Sequence, residues 1–424
     1  MRDIALGAWA LLLGVAFLLL GYGLQTSLLG LRGSAEGFAT TTIGVVMAGY
    51  YAGFLAGSAI APGMVGRVGH VRAFGALASI ASAAVLIHAV VIEPTTWFAM
   101  RVVTGFCYAG LYIVAESWLN DRATNETRGR LLGLYMAVQF ASIALGQALL
   151  TVADVQEATL FIIGSVAVSL GVVPILLTRS PAPVIETPVR LGPMALLRVS
   201  PLAVVGVVLV GASQGGFSSL AAVYGEQSGL SVEAIAAFIA ATVAGGMAMQ
   251  WGVGWIADRV DRRMTIAGLG MVSAAAALAF LALPIAWRGG AVFLALAVVF
   301  GGALYPLYSV VVAHANDRLN KSQMVGASAS LMLLYGIGAM SGPLVLSLAM
   351  AVAGPGGFFL ALAAVMAGLG VYALWRTTRR AAADMDSHAA MMSPSATALA
   401  VAVATEEAST LDETAEDGTR PGRD

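Results

Sequence analysis

The sequence holds a single cysteine, Cys107, and four histidines among 424 residues, and only 11% of its side chains are charged. One thiol excludes a disulfide framework and a thiolate metal centre, and four scattered imidazoles argue against a histidine-built one. No cofactor is implied. The chain has no G-x-x-x-x-G-K-[ST] loop, so nucleotide hydrolysis is not its energy source. At a net charge of −1 it also lacks the basic patch that a phosphate backbone demands, so nucleic acid is not expected as a partner. No paired His, Cys or Asp cluster suggests an enzyme. With 59% apolar residues, so few charges cannot cover a water-facing surface, and the solvent for most of the chain must be lipid.

What the sequence does contain is a series of apolar windows of about 20 residues, the length that crosses a bilayer as a helix. They fall near 8–28, 42–62, 73–93, 97–118, 131–152 and 157–178, then 201–223, 233–253, 264–284, 290–312, 325–350 and 357–375. Many carry small residues four apart, such as Gly53 and Gly57, which let helices approach closely in lipid. Strand alternation is nowhere sustained. The expected fold is an all-α polytopic membrane protein with 12 transmembrane helices. The first window, after Met1-Arg2-Asp3, is too long for the apolar core of a signal peptide and is expected to stay in the protein.

The stretch Arg101–Arg130 returns later in the chain. Adding 196 to positions 101–122 aligns Val102 with Val298, Gly105 with Gly301, Tyr112 with Tyr308, and Asn120-Asp121-Arg122 with Asn316-Asp317-Arg318. Gly146 and Gly342 keep the same offset one helix further on. A repeat of nearly half the chain implies two pseudo-symmetric six-helix bundles. The expected organisation is an N-terminal bundle at 1–178, a polar, Pro-rich cytoplasmic linker at 179–199, a C-terminal bundle at 200–378 and a disordered cytoplasmic tail at 379–424. With the N-terminus inside, all but three of the 22 basic residues fall in cytoplasmic segments; Arg32 and Arg288 lie outside, and Arg101 lies within a span. That imbalance places both termini in the cytoplasm.

The fourth span carries the chemistry. At about 100° per residue Arg101, Gly105, Tyr108 and Tyr112 share one stripe, with Thr104 and Glu116 on its edges. Arg101 and Glu116 stand ~22 Å apart along the axis. A charge in hydrocarbon costs several kcal/mol unless it meets water or a partner, so the stripe is expected to line an aqueous cavity. Arg101 has three open readings: it binds an anionic group of a solute, assists proton movement, or holds helices together. Glu116 is a candidate titrating carboxylate or a latch partner near the inner surface.

After the eighth span the chain reads Gly254-Trp-Ile-Ala-Asp258-Arg259-Val-Asp261-Arg262-Arg263. A degraded copy, displaced by 192, follows the second span and includes Gly66, Arg67, Gly69, His70 and Arg72. This loop pair resembles the signature loop of the major facilitator superfamily. Arg101-x-x-x-Gly105 resembles its helix-four motif, and Gly336-Ile-Gly338-Ala-Met-Ser-Gly342-Pro343 its Gly-Pro element. The resemblance covers 1–378. More finely, Gly23-Leu-Gln25, Tyr50-Tyr51-x-Gly53-Phe54 and Glu116-Ser-Trp118-Leu-Asn120 look like the YcaD-type branch. Position 66 is Gly where the superfamily loop usually has Asp, so the gate of the N-terminal half is expected to depart from the charge-paired form.

The resemblance implies a secondary transporter working by alternating access in the inner membrane of a bacterium. It would be a monomer moving a small organic solute, with protons as the coupling ion and export as the direction. Facilitated diffusion or import on the same fold, and a receptor or scaffold signalling through the tail, are the alternatives. In the superfamily helices one, four, seven and ten line the cavity. Here they offer Tyr22, Gln25, Arg101, Thr104, Tyr108, Tyr112, Glu116, Gln214, Ser218, Tyr305 and Tyr308. Pro306, in the place of Gly110, is expected to kink helix ten. The gating loops would use Arg67, His70, Arg72, Asp121, Asp258, Arg259, Asp261, Arg262, Arg263 and Asp317. For Arg67 and Arg72 the candidate partners are Glu116, Asp121 and Asp317.

Two outcomes test this reading. In a Cys107→Ser background, Gly66→Cys and Asp258→Cys should both be labelled by an impermeant thiol reagent from the cytoplasmic side only; opposite sidedness would break the repeat. Deleting 385–424 should leave solute movement in vesicles unchanged.

Overall fold

In the computed structural model, residues 2–121, 128–177, 192–319 and 321–379 are described. Most of the expected linker, the tail beyond Arg379 and the Asp121 side chain lie outside these residues. Among the described residues there is no strand, and twelve helices are long and apolar enough to cross a membrane.

The first half consists of α1 (Arg2–Ala35), α2 (Thr40–Val68), α3 (His70–Val90), α4 (Pro94–Asp121), α5 (Arg128–Ala148) and α6 (Thr159–Leu176). A short helix α7 (Pro193–Val199) precedes the second half. That half holds α8 (Pro201–Gln227), α9 (Val232–Ala257), α10 (Arg262–Ala282), a span split into α11 (Ala291–Leu304) and α12 (Leu307–Asn316), α13 (Lys321–Ala353) and α14 (Gly357–Thr377). The split falls at Tyr305-Pro306, where proline lacks the amide donor and clashes with the preceding turn. Several helices outrun the apolar windows. α1 continues through Arg32 and Ser34 and ends only before Gly37, whose φ of 77° belongs to the left-handed region. Hydropathy marks what lipid covers; the backbone ladder stops where a terminator arrives.

Each half is held by helix pairs in backbone contact. A Cβ at Gly53 would stand 1.9 Å from the Val102 carbonyl oxygen, and one at Gly105 the same distance from that of Tyr50. So α2 and α4 clasp each other reciprocally through two bare glycine faces. The second half repeats the clasp between α9 and α11, where Gly245 meets Val298 and Gly301 meets Thr242. Lipid tails are as apolar as leucine, so burying hydrophobic surface gains little here. Close van der Waals packing on small residues holds the pairs instead.

The halves meet where α1 packs on α8, α2 on α13 and α5 on α9. On the face carrying the α1–α2 turn, an apolar plug spans both: Leu28, Leu29, Ile43 and Met47 join Phe217, Leu220 and Val223 in one buried cluster. Outside the plug, Ser34 Oγ donates to Glu226 Oε2 at 2.6 Å and Gln227 Nε2 to Thr40 Oγ1 at 2.9 Å. Towards the opposite face, Val65, Phe74, Trp118 and Leu131 form a second cluster confined to the first half. There Gly66, Arg67 and Val68 stand exposed. The molecule is closed across its halves on one face.

The clasp generates a measurable expectation. Gly105→Ala and Gly301→Ala should each cost about 1–3 kcal/mol, because the added methyl meets backbone that cannot yield locally. Gly63→Ala, with nothing within 4 Å, should leave thermal unfolding in detergent unchanged or slightly raised.

Candidate solute cavity between the halves

A cavity of about 210 Å³ lies between the two bundles. The first half supplies Tyr22 from α1; Tyr50, Tyr51 and Phe54 from α2; Tyr112 and Glu116 from α4; and Gln139 from α5. From the second half come Gln214 and Ser218 of α8, Tyr305 at the helix break, and Met332, Tyr335 and Gly336 of α13. Tyr22, Tyr112, Glu116, Gln214, Ser218 and Tyr305 are therefore brought together as the sequence suggested. Gln25, Arg101, Thr104, Tyr108 and Tyr308 are not on the wall.

Arg101 is 1% exposed and sits behind a layer of tyrosines. Its guanidinium lies over the Tyr50 ring at 4.6 Å, a geometry in which the ring quadrupole attracts the cation. Tyr50 in turn packs on Tyr22 (5.3 Å), Tyr51 (5.3 Å) and Tyr108 (6.2 Å). The α2–α4 clasp causes this arrangement, since Gly105 touches Tyr50 and Gly53 touches Val102, the neighbour of Arg101. Among the described residues, Arg101 Nε and Nη1 have no hydrogen-bond acceptor. Thr104 Oγ1 donates to the Arg101 carbonyl at 3.0 Å, and Tyr108 donates to the Leu18 carbonyl at 2.9 Å. Both act as packing groups here. Gln25 is buried, and Tyr308 stacks edge-on against Tyr335 at 5.0 Å behind the second-half wall.

Glu116 occupies the other end of the α4 stripe. It is 2% exposed, and Tyr135 donates to its Oε1 at 3.4 Å. Its repeat counterpart is Val312, and that of Arg101 is Ala297, so the second half supplies neither charge. What that half supplies is irregular backbone. The break at Pro306 leaves carbonyls without helical donors, and Gln214 Nε2 serves them, bonding the Leu304 oxygen at 3.0 Å and that of Tyr305 at 3.4 Å. Tyr335 donates to Gln214 Oε1 at 2.9 Å, so one amide ties α8, the broken span and α13 together.

Sequence reading missed Tyr50, Tyr51, Phe54, Gln139, Met332, Tyr335 and Gly336 as wall residues. The repeat held a usable signal for two of them. Gly146 packs on Leu20 as Gly342 packs on Ala212. Counted from those contacts, Tyr22 and Gln139 stand where the other half has Gln214 and Tyr335, the same two residue types exchanged between helices.

The loop after α9 forms a compact ionic knot. Arg262, 1% exposed, bonds Asp258 Oδ1 at 3.1 Å, the Ala313 carbonyl at 3.0 Å and the Asp317 carboxylate. It thereby joins the end of α9 to the end of α12. Asp261 caps α10 and pairs with Arg263 at 2.6 Å. Burial raises its carboxyl, but the hydrogen bonds and charge of Arg263 outweigh that and hold it below the usual carboxylate range. Arg263 also reaches the Arg376 carbonyl, and Arg259 lies 4.2 Å over the Trp255 ring. Asp317 and Glu116 thus have partners other than Arg67 and Arg72, both of which are exposed. In the other half His70 stands at the position of Arg262, buried and packed on Trp118 at 5.9 Å.

The Major Facilitator Superfamily model matches residues 11–318. The uncharacterized MFS-type transporter Ent638_1421 of Enterobacter sp. (strain 638) is 28% identical over 337 residues, covering 78% of this chain and 86% of that one. The uncharacterized MFS-type transporter YcaD of Escherichia fergusonii is 27% identical over 335 residues, with the same coverage of each. Among solved structures, the nucleoside transporter NupG superposes with a TM-score of 0.70 at 14% identity, covering 87% of this chain and 97% of its own. An inward-facing, occupied bacterial homologue of the human lysosomal transporter Spinster gives 0.69 at 16%, covering 92% and 98%. The last two establish likeness of fold. Taken with the twelve spans and the cavity between the halves, the family match means that this chain belongs to the major facilitator superfamily, as a multi-pass, non-enzymatic transporter resembling YcaD.

Proposed function

We propose that the protein exports a small organic solute across the inner membrane of a bacterium by alternating access, driven by proton entry. The observation carrying this is the cavity itself: walled by both halves, plugged on one face and holding a buried carboxylate, Glu116. The halves 1–178 and 200–378 rock about this cavity as single bodies, joined by the cytoplasmic linker 179–199 and followed by the tail at 379–424. Both termini face the cytoplasm, in keeping with the placement of basic residues, and the chain acts as a monomer.

Within this cycle Glu116 carries the proton. Arg101 orders the tyrosine layer that floors the cavity, and the Asp258–Arg262–Asp317 knot keeps one half rigid while the other moves. On the first-half side, Arg67, His70, Arg72 and Asp121 act in the opposing gate.

A thermal-shift screen of the purified chain against metabolite and drug libraries at two pH values identifies the solute, since a ligand that binds the folded state raises its stability. With that solute in proteoliposomes, Arg101→Ala should cut movement at least about tenfold while membrane insertion persists. Full activity would end its role. Glu116→Gln should abolish the response to an imposed pH gradient. Asp317→Asn leaves Arg262 short of a buried partner and should lower stability by ~3 kcal/mol, read from detergent-monitored unfolding.

A further inference from the structure

We infer that the first half carries a binding site for an anionic phospholipid of the cytoplasmic leaflet, with an acyl chain in a groove between α2 and α3 and the phosphate on Arg67 and Arg72. The choice of leaflet rests on the proposed cytoplasmic placement of the α2–α3 turn; the site itself does not. The groove, about 370 Å³, shares no wall residue with the solute cavity. Met64 and Val68 of α2, Ala76 and Ile80 of α3, and Phe106 and Cys107 of α4 line it, and no side chain on its wall carries nitrogen or oxygen. The way the helices are tied opens it. The glycine clasp holds α2 on α4, while Ser82 Oγ and Ser165 Oγ, 2.7 Å apart, tie α3 to α6. From their junction at Gly69 the helices α2 and α3 therefore part, leaving α4 as the floor. Val68 and Ile80 are half-exposed, so the groove opens on the outer surface of the bundle, where the solvent is lipid.

A solute that needs polar contacts to orient it finds none on that wall, whereas a hydrocarbon chain needs none. Charge selects the head group. Arg72 stands one turn from Ala76 and two from Ile80, so it leaves α3 on the stripe that walls the groove. Arg67 stands one turn past Met64 on α2. Both arginines are exposed, and neither forms an ion pair among the described residues. From Arg72 to Ile80 the helix rises ~12 Å, against ~15 Å of hydrocarbon in one leaflet, so head group and chain fall at matching depths. The repeat shows what has been removed around these charges. In the second half Arg259 lies over the Trp255 ring, Asp258 pairs with Arg262 and Asp261 with Arg263. At the first-half positions of Trp255, Asp258 and Asp261 stand Gly63, Gly66 and Gly69, and Arg72 stands at that of Met264. Packing does not demand Gly63 or Gly66, since a Cβ at either meets nothing within 4 Å. Three neutralising side chains are gone and one guanidinium is added, in open space at the mouth of an apolar groove. A lipid phosphate supplies the missing negative charge, as it does where basic pockets lie between spans on the cytoplasmic side.

The test uses the purified, lipid-stripped full chain in neutral detergent, titrated with dioleoylphosphatidylglycerol, dioleoylphosphatidylcholine and glycerol 3-phosphate and read by native mass spectrometry. The phosphatidylglycerol should bind at least about tenfold tighter than the phosphatidylcholine, and the preference should shrink as salt is raised. Glycerol 3-phosphate, which has the charge without the chains, should bind more weakly than either lipid. The double variant Arg67→Gln/Arg72→Gln should lose the preference, and Ala76→Phe, which fills the groove, should weaken both lipids. Equal affinity for the two lipids, or a preference that survives the double variant, would overturn the head-group assignment. Glycerol 3-phosphate binding as tightly as the phosphatidylglycerol, or lipid binding untouched by Ala76→Phe, would overturn the groove. The three probes on the unaltered chain decide even where a variant does not fold. Labelling of Gly66→Cys from outside the cell would overturn the leaflet together with the proposed orientation, whereas loss of the preference in detergent overturns the site alone.

Discussion

Backbone-to-backbone contact between α2 and α4 is the constraint on which the rest depends. Two glycines, Gly53 and Gly105, let the helices touch where any side chain would collide with a carbonyl. The contact fixes relative height as well as distance, because each glycine meets one particular peptide group on its partner. With Gly105 against Tyr50 and Gly53 against Val102, Arg101 has little choice but to lie over the Tyr50 ring. A guanidinium in hydrocarbon needs compensation, and a ring quadrupole is what that register supplies. The same register turns the lower part of α4, with Tyr112 and Glu116, out from under α2 and onto the cavity wall.

Duplication left two halves with one framework and divided tasks. The glycine clasp recurs between α9 and α11, so the scaffold is common to both. The charges are not: Ala297 and Val312 stand where the first half has Arg101 and Glu116. In their place the second half breaks a helix at Pro306 and spends Gln214 on the freed carbonyls. The loops divide likewise. Asp258, Arg262 and Asp317 make a closed ionic knot, whereas the equivalent first-half loop has Gly66 and His70, with the imidazole packed on Trp118. A guanidinium can serve two carboxylates and a carbonyl together, which an imidazole with two nitrogens cannot.

The twelve spans, the two halves and the repeat were legible because they rest on hydropathy and spacing, which sequence states directly. Six wall residues were legible because they lie on helices that the family resemblance marks as lining. Arg101 was misplaced for a geometric reason. Helical periodicity says that Arg101 and Tyr112 share a stripe, but not that a neighbouring helix covers one end of it. That depends on where α2 touches α4, a contact visible only once both glycines are seen to meet specific peptides. Tyr335 and Gln139 were missed for a related reason, since the helices that bear them were read for their Gly-Pro packing element rather than for their wall.

The contrast between contacts within and across the halves carries the mechanical argument. Inside each half, glycines sit on carbonyls, and separating them would open voids that neither lipid nor water fills well. Across the closed face, the outermost ties are two exposed hydrogen bonds, Ser34 to Glu226 and Thr40 to Gln227, which water can replace at small net cost. Beneath them, the plug of Leu28, Ile43, Phe217 and Val223 is apolar and interlocks without directional bonds. Opening it to water costs in proportion to the apolar area exposed, and burying comparable area on the opposite face would offset that cost. Rocking of two stiff bodies is therefore the deformation this packing resists least, because every other one must first break a clasp.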